Sequence, residues 1–447
     1  MGDSGIRPPS LWSNRNFLFF WALQALSVAG DAFSFVAIPL LVLHATGSVA
    51  QMGLLTGLAG AASVVTGVFA GVLVDRLDRR RLMVACDALR AVAYGAVPLL
   101  WLAEPRVWLL YLVVPLGSAL GMVFRVSYVT AVTGLVDPEH ITEANGRLSA
   151  TYAVASVLGP MLAGVVSALV GPAVAVGVDA VTFAISAVGL TFVRLTTRGP
   201  RPARARHRES AVPDPTSPRP VPVTAMVTGR RRRPRPLSVA VRDLSVGAVF
   251  LWRHPVLRTL TILLTLSLFL MLGLTDLFIY RLKHDLDQSD QHVGNVLAVG
   301  ASGTVLAALI VARARRRFGV GACWITAQTL AGLAVVAMGF AGHVATMAAF
   351  ATVYTFGIGI AGICSMSLRQ EVTPGHLLGR VTSAFWTIHY AAAPIGAALL
   401  TWAADRFGST GALLVAGTGC SLIALSGLLT PLVRPAPSQA PVPHPAT

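Results

Sequence analysis

Twelve stretches of about 20 mostly apolar residues follow one another along this 447-residue chain, and no other feature limits its possible folds so severely. They run near 17–43, 51–74, 82–102, 107–135, 148–170, 173–194, 256–280, 293–312, 320–340, 345–367, 381–404 and 410–431. As a helix rising 1.5 Å per residue, each is long enough to cross the roughly 30 Å of hydrocarbon in a bilayer. Lipid offers backbone groups no hydrogen-bond partners, so a segment must satisfy its own, and a helix does so. The expected fold is an all-α membrane protein of twelve transmembrane helices. Only 12% of the residues are charged and mean hydropathy is +0.70, too little ionic surface for a soluble protein of this size.

Charge marks the ends of these stretches. Of the 35 basic residues, Lys283 alone is not arginine. Centring such a charge in hydrocarbon costs roughly 2.5–3.5 kcal/mol on insertion scales, which keeps most of them in the connections. Arg76, Arg79, Arg80 and Arg81 follow segment two, Arg147 follows segment four, and a large cluster follows segment six. Arg313, Arg315, Arg316 and Arg317 follow segment eight, and Arg369 and Arg380 follow segment ten. Connections after odd-numbered segments, such as 44–51 and 341–344, are short and poor in arginine. Arginine accumulates on the cytoplasmic side, so both termini are expected in the cytoplasm of a protein embedded in the cell membrane. The net charge of +16 does not indicate nucleic acid, because the basic residues form no single face with interleaved aromatics. Cys86, Cys323, Cys364 and Cys420 fall singly in apolar stretches without CxxC spacing and read as small buried hydrophobes. No metal or other cofactor is expected. The polar start, 1–16, leads into an apolar run too long for a cleavable signal, which is expected to remain as the first span.

Four regions follow. Residues 1–194 are expected to form an N-terminal six-helix bundle. Residues 195–236 are rich in arginine and proline, with Glu209 and Asp214 as the only acids. Such a composition buries too little apolar surface to fold, so a disordered cytoplasmic linker is expected. Its tract 230–235 reads as topogenic, with contact to anionic lipid as the alternative. Residues 237–431 hold a helix along the inner interface and six more spans; 432–447 form a proline-rich, disordered cytoplasmic tail. The interfacial helix is expected because Leu237, Val241, Leu244, Ala248 and Leu251 recur on one helical face. The two halves also repeat. VDPEH (136–140), GRLSA (146–150) and LGPMLAG (158–164) are echoed by VTPGH (372–376), GRVTSA (379–384) and APIGAA (393–398). DRLDRRR (75–81) is likewise echoed by ARARRRF (312–318). Duplication implies two pseudo-symmetric six-helix bundles around a midplane cavity.

Residues 71–80, Gly71-Val-Leu-Val-Asp75-Arg76-Leu-Asp78-Arg79-Arg80, resemble a signature of the major facilitator superfamily. That signature, G-x-x-x-D-R/K-x-G-R/K-R/K, joins the second and third helices, and the likeness to the superfamily covers essentially the whole chain. Gly67 and Gly71, four apart, offer a flat face for helix packing, and Asp75 stands where it can accept from a helix N-terminus or pair with arginines. The resemblance implies that Gly71, Asp75, Arg76, Arg79 and Arg80 latch the inward side and release during transport. Asp78 occupies the place of the usual glycine, which leaves the tight turn without its customary residue. Residues 155–164 resemble the superfamily's antiporter motif, G-x-x-x-G-P-x-x-G-G: Gly159, Pro160 and Gly164 match, while Ala155 and Ala163 replace glycines. Small residues allow close helix contact, and Pro160 lacks a backbone donor, so a bend is expected there. In the family this motif accompanies export; helix packing alone is the other account. Stretches 135–150, 243–260 and 369–381 resemble the branch of enterobactin-type siderophore exporters and macrolide-efflux proteins. Val126 and Tyr128 depart from that branch's proline and arginine.

Ionisable side chains inside spans are candidates for transport chemistry, because their burial must be offset. Asp31 lies near the middle of segment one. Burial penalises its charged form, which suits a group that takes and releases a proton as access alternates; a fixed donor on a neighbouring helix is the other account. Gln24 and Ser27 lie on a similar face. Arg125, in segment four, is placed to tune Asp31, to meet an anionic substrate, or to form a structural ion pair. His389 reads as a titrating group or a hydrogen-bonded core histidine. Asp87 and Arg90 are expected in the inner charge cluster, and Asp179 and Asp276 near the outer ends in structural roles.

These features favour a secondary transporter, a proton-coupled exporter of a small apolar molecule such as an antibiotic, secondary metabolite or siderophore. A largely apolar cavity implies loose selectivity. The chain is expected to act as a monomer, with protons as coupling ion and the lipid bilayer as its solvent. An importer or uniporter of the same fold, or a sensor or scaffold that no longer transports, are the alternatives. A nucleotide-driven pump is excluded on this chain, since a P-loop needs a GK[ST] lysine and Lys283 stands in an outer loop. An enzyme is not expected: neither HExxH nor GxSxG occurs, and no paired intramembrane carboxylates are discernible.

Overall fold

The computed structural model describes residues 11–101, 104–136, 140–194, 237–374 and 377–433. The expected linker, 195–236, and the tail beyond 433 lie outside the described residues.

Six long helices make the N-terminal half: α1 (Arg15–Thr46), α2 (Val49–Arg76), α3 (Arg79–Trp101), α4 (Val107–Leu135), α5 (Ile141–Val170) and α6 (Pro172–Phe192). Their ends follow from local chemistry. The Asn14 side chain accepts from the Phe17 N–H at the start of α1, and Gly47, at φ 67°, ends it in the left-handed conformation that glycine adopts freely. Ser48 then caps α2 by accepting from the Gln51 N–H. Between α2 and α3 the turn forms despite Asp78, because its carboxylate accepts from the Arg81 N–H at 2.9 Å. Aspartate here serves as a helix cap, a role glycine cannot fill by side chain.

The second half opens with α7 (Leu237–Arg253) and continues through α8 (Pro255–Met271), α9 (Leu274–Tyr280), α10 (Asp290–Phe318), α11 (Val320–Met338), α12 (Val344–Val372), α13 (Leu378–Ala391), α14 (Ala393–Phe407) and α15 (Ser409–Ser426). Helix α7 is too short to span; it lays Gly247 against the Arg380 backbone, and its Leu251 packs with Leu257, Val381 and Phe385. Its seat is thus the start of α13. The seventh span is discontinuous: α8 and α9 meet at Leu272–Gly273, and a single π turn, Arg281–Asp285, follows. Among the described residues, eleven helical runs are long and apolar enough to cross a bilayer, the seventh span counting as one of them. The remaining span, expected as one helix over 381–404, is α13 plus α14, interrupted at Ala392. Pro394 explains the break, since it has no N–H to donate into α13 and sits in the first turn of α14.

Both halves pair their spans in the same pattern. In the first, α1 packs on α5 and α6, α3 on α4 and α6, and α2 on α4. In the second, α8 packs on α14 and α15, α11 on α12 and α15, and α10 on α12. The halves meet along two seams, α5 with α10 and α2 with α14. At the first, a Cβ on Gly164 would stand 2.8 Å from the Gly294 Cα. At the second, one on Gly57 would stand 2.8 Å from the Pro394 carbonyl oxygen. Both seams therefore bring backbone against backbone, which residues with larger side chains prevent.

Twelve crossings return the chain to the face it started from, here the proximal face. At the opposite, distal end, polar contacts tie the halves together. Asp290 on α10 accepts from Lys283 at 2.8 Å and lies 3.3 Å from His44 of α1. Ser48 donates to Asp405 at 3.3 Å. Arg281 braces the second half there, donating to Ser409 and Thr410 at 2.9 Å and to the Gly339 carbonyl at 2.7 Å.

Candidate functional site

Within the first bundle, α1, α3 and α6 converge on one guanidinium. Asp87, Arg90 and Tyr94 recur at helical spacing on α3, all buried. Arg90 Nη2 donates to Asp31 Oδ1 of α1 at 2.6 Å, and its Nη1 stands 3.9 Å from Asp87 Oδ1. The Arg90 Cζ lies 3.7 Å from the centre of the Phe183 ring of α6, a cation–π contact. Tyr94 meets the same ring edge-on at 5.6 Å. Asp179, one turn earlier on α6, accepts from Ser34 of α1, while Thr182 donates to its backbone carbonyl at 2.8 Å. Gly30 makes this approach feasible, since a Cβ there would stand 2.7 Å from Asp179 Oδ1. The three carboxylates differ in access. The Asp31 side chain is 46% exposed, whereas Asp87 and Asp179 are fully buried. Neither Asp87 oxygen has a hydrogen-bond partner among the described residues, although Ser186 lies beside it.

Several expectations are corrected here. Arg90, not Arg125, holds Asp31. Neither Asp87 nor Arg90 joins the inner basic cluster: Arg90 lies eleven residues into α3, about 16 Å from its start. Asp179, expected in a structural role, belongs to the same network. Intramembrane carboxylates are therefore grouped after all. The signal was present in the i, i+3, i+7 spacing of Asp87, Arg90 and Tyr94, which places all three on one face. Gln24 and Ser27 are buried, and neither bonds Asp31. Asp276 is buried in α9, with Thr56 of α2 nearby and Oδ2 without a hydrogen-bond partner among the described residues.

A second group of cations and rings lies where α12 and α13 meet. The buried Arg369 guanidinium covers the Phe385 ring at 3.6 Å and stands 5.6 Å from that of Trp386. It donates to Ser365 at 3.0 Å. His389 is a core residue stacked on Phe385 at 5.1 Å, and among the described residues its Nδ1 has no hydrogen-bond partner. Stacking, not the expected hydrogen bond, holds it. Tyr390 stacks on Trp386 at 5.6 Å and lies within electrostatic reach of Arg125 on α4 and Tyr152 on α5. Arg125 is exposed.

The basic cluster at the proximal face is placed as follows. Arg80 donates to the Thr191 carbonyl at 3.0 Å, fastening α3 to the end of α6, while Arg76 and Arg79 are exposed. Gly71 and Asp75 fall in α2, but the Asp75 side chain and the surroundings of Gly71 lie outside the described residues. Gly67 is less confined than expected, since a Cβ there would meet Met122 at an ordinary 3.7 Å. In α5, Gly159 faces Ala32 of α1, and Pro160 and Gly164 face Gly294 of α10. This motif therefore lies on the seam between halves, and α5 stays helical through Pro160.

A duplicated, twelve-pass secondary transporter is the class that this fold and these buried charges define. The chain belongs to the Major Facilitator Superfamily, whose family model matches residues 20–397. It is 25% identical over 424 residues to the multidrug efflux pump Tap of Mycolicibacterium fortuitum, covering 93% of this chain and 95% of that protein. It is 23% identical over 427 residues to macrolide efflux protein A of Streptococcus pyogenes, covering 94% and 96%. It superposes on the nucleoside transporter NupG with a TM-score of 0.69 at 12% identity, covering 94% of this chain and 100% of that one. A bacterial homologue of the iron transporter ferroportin gives 0.62 at 15% identity, covering 93% and 100%. At such identities these superpositions speak for the fold alone. The family resemblance read from residues 71–80 and 155–164 holds.

Proposed function

We propose that the protein is a proton-coupled exporter of small, largely apolar molecules such as antibiotics. In this reading it acts as a monomer in the cell membrane, with its termini, the 195–236 segment and the proximal face in the cytoplasm. The observation that carries it is the Asp31–Arg90 pair, whose carboxylate is half-exposed while its arginine is buried. One guanidinium serves Asp31, Asp87 and Asp179, so the group has room for a proton. A proton on Asp31 removes its charge and frees Arg90 to favour the two buried carboxylates. A charge-assisted hydrogen bond is worth about 1.5–3 kcal/mol, and every 1.4 kcal/mol is tenfold, so its loss is able to shift a two-state equilibrium about ten- to a hundredfold. Helix α1 carries Asp31 and packs on α5, which forms a seam, so the change at Asp31 is coupled to how the halves meet.

Export is supported by the α5 motif on that seam and by the relatives, which are named for drug and macrolide efflux. The test is accumulation of a compound panel in cells lacking their own pumps, with and without a protonophore. Expected is reduced accumulation that the protonophore abolishes and that Asp31→Asn abolishes at unchanged membrane level. Accumulation indifferent to the protein across the panel would refute export, and efflux indifferent to the protonophore would refute proton coupling.

A further inference from the structure

We infer that His44 is a sensor of external acid: protonated from the distal side, it holds the distal exit shut by pairing with Asp290 across the two halves. This rests on the transporter reading above and adds a regulation to it. His44 stands in the last turn of α1, in the first half, and its side chain is 40% exposed. Asp290 opens α10, in the second half, and its side chain is 7% exposed. One oxygen faces two bases: His44 Nε2 lies 3.3 Å and Lys283 Nζ 2.8 Å from Asp290 Oδ1. Lys283 belongs to the same half as Asp290, so it supplies a counter-charge without joining the halves. Of the two bases, His44 is the one that bridges them. The halves also have little play at this place. A Cβ on Gly164 of α5 would stand 2.7 Å from the Asp290 carbonyl oxygen, so the pair closes over the distal end of the α5–α10 seam.

Histidine is the side chain whose charge changes between about pH 5 and about pH 8. Neutral, His44 offers Asp290 at most one hydrogen bond; protonated, it adds an ion pair between the halves. A pair of this kind near the surface moves an equilibrium by about two- to fivefold. The remaining ionisable groups around this end have other partners or face solvent. Residues 49–60 of α2 and 160–175 of α5 and α6 contain none, and Tyr111 of α4 reaches Gln51 at 3.4 Å. Asp276 of α9 is buried, and Tyr280 stacks on His284 at 4.8 Å. His284 stands 3.0 Å from Asp285, His292 of α10 stands 2.9 Å from Ser289, and Asp287 is exposed. On α1 itself the nearest ionisable group is Asp31, thirteen residues earlier and held by Arg90. External acid thus has two opposed effects: it drives the exporter through the proton gradient and it keeps the exit closed. Efflux levels off as the outside becomes more acidic.

The experiment uses the full chain in phosphatidylcholine nanodiscs, with a donor and an acceptor dye on Glu104→Cys and Gly342→Cys. Both positions are exposed, on distal connections of opposite halves, and a Cβ at Gly342 meets nothing within 4 Å. The four native cysteines are buried. Single-molecule energy transfer counts open and closed distal ends. Between about pH 8 and about pH 5 the open-to-closed ratio is expected to fall about two- to fivefold more in this chain than with His44→Gln added. At about pH 8 the two are expected to agree within about twofold, which shows that His44→Gln is folded. His44→Arg, charged throughout, is expected to give the acid value at both ends of the range. Asp290→Asn is expected to raise the ratio at both ends and to abolish the difference. The difference is expected to persist in an Asp31→Asn background, which separates it from the coupling site. Equal responses with and without His44→Gln overturn the inference, as does an exit that opens further in acid through His44, or one that stays closed in every variant. A difference that disappears with Asp31→Asn also overturns it, by assigning the response to the coupling site. If the responses are equal while the efflux panel is still exported, this inference fails and the exporter reading stands; if the panel is not exported, the exporter reading itself fails.

Discussion

Arg90 gathers several charges of the first bundle, with Asp31 and Asp87 at its nitrogens, Asp179 on the neighbouring helix and Phe183 beneath it. Removing one partner of a buried pair costs about 3–5 kcal/mol because the other charge is left uncompensated. Arg90→Leu is expected to destabilise the protein by about that amount. The four cysteines are buried, so thermal unfolding followed with a thiol-reactive dye reads this directly. An unchanged transition would mean that the network does not support the fold. Arg90→Lys keeps a charge but loses the fork and the stacking plane, so transport is expected to fall more than stability does. Asp78→Ala tests a smaller effect, loss of the α3 cap, at about 1 kcal/mol. Transport by that variant is expected to continue, and a complete loss would give Asp78 a role beyond capping.

Among elements, α5 and α10 approach more closely than any leucine would allow. Gly164→Leu is expected to force the seam apart, with an overpacking cost of about 1–3 kcal/mol and loss of transport. Gly146→Ala in the same helix is the control. Nothing stands within 4 Å of a Cβ there, so it is expected to be neutral or stabilising by up to about 1 kcal/mol. Similar outcomes for the two variants would remove the seam from the explanation. The interruption between α13 and α14 has the same local character. It falls where Pro394 meets α2, and the repeat relates that stretch to Pro160 of α5. Pro160 leaves its helix intact whereas the proline near Ala392 divides one, so duplicated sequence does not impose duplicated backbone.

For the whole molecule, polar ties between halves at the distal end run from His44 to Asp290 and from Ser48 to Asp405, with Lys283 holding Asp290 from within its own half. Alternating access requires these to part. A short thiol crosslinker across Ser48→Cys and Asp405→Cys is expected to stop transport, and cleavage of the linker to restore it. Transport that continues while crosslinked would mean the distal end need not open there. Asp290→Asn removes the carboxylate that His44 faces across the halves and is expected to raise labelling of a cysteine at position 48 from the distal side. No change in labelling would remove this pair from the closure.

Twelve spans, the duplication and the superfamily were legible in the residues alone. Each rests on local quantities: the length of an apolar run, the cost of a charge in lipid, the spacing of a motif. The partner of Asp31 was not legible, because Arg90, Asp179 and Ser34 come from three helices whose rotation and depth are set by packing. A period of 3.6 residues places side chains on a face; it does not say which neighbour that face will meet.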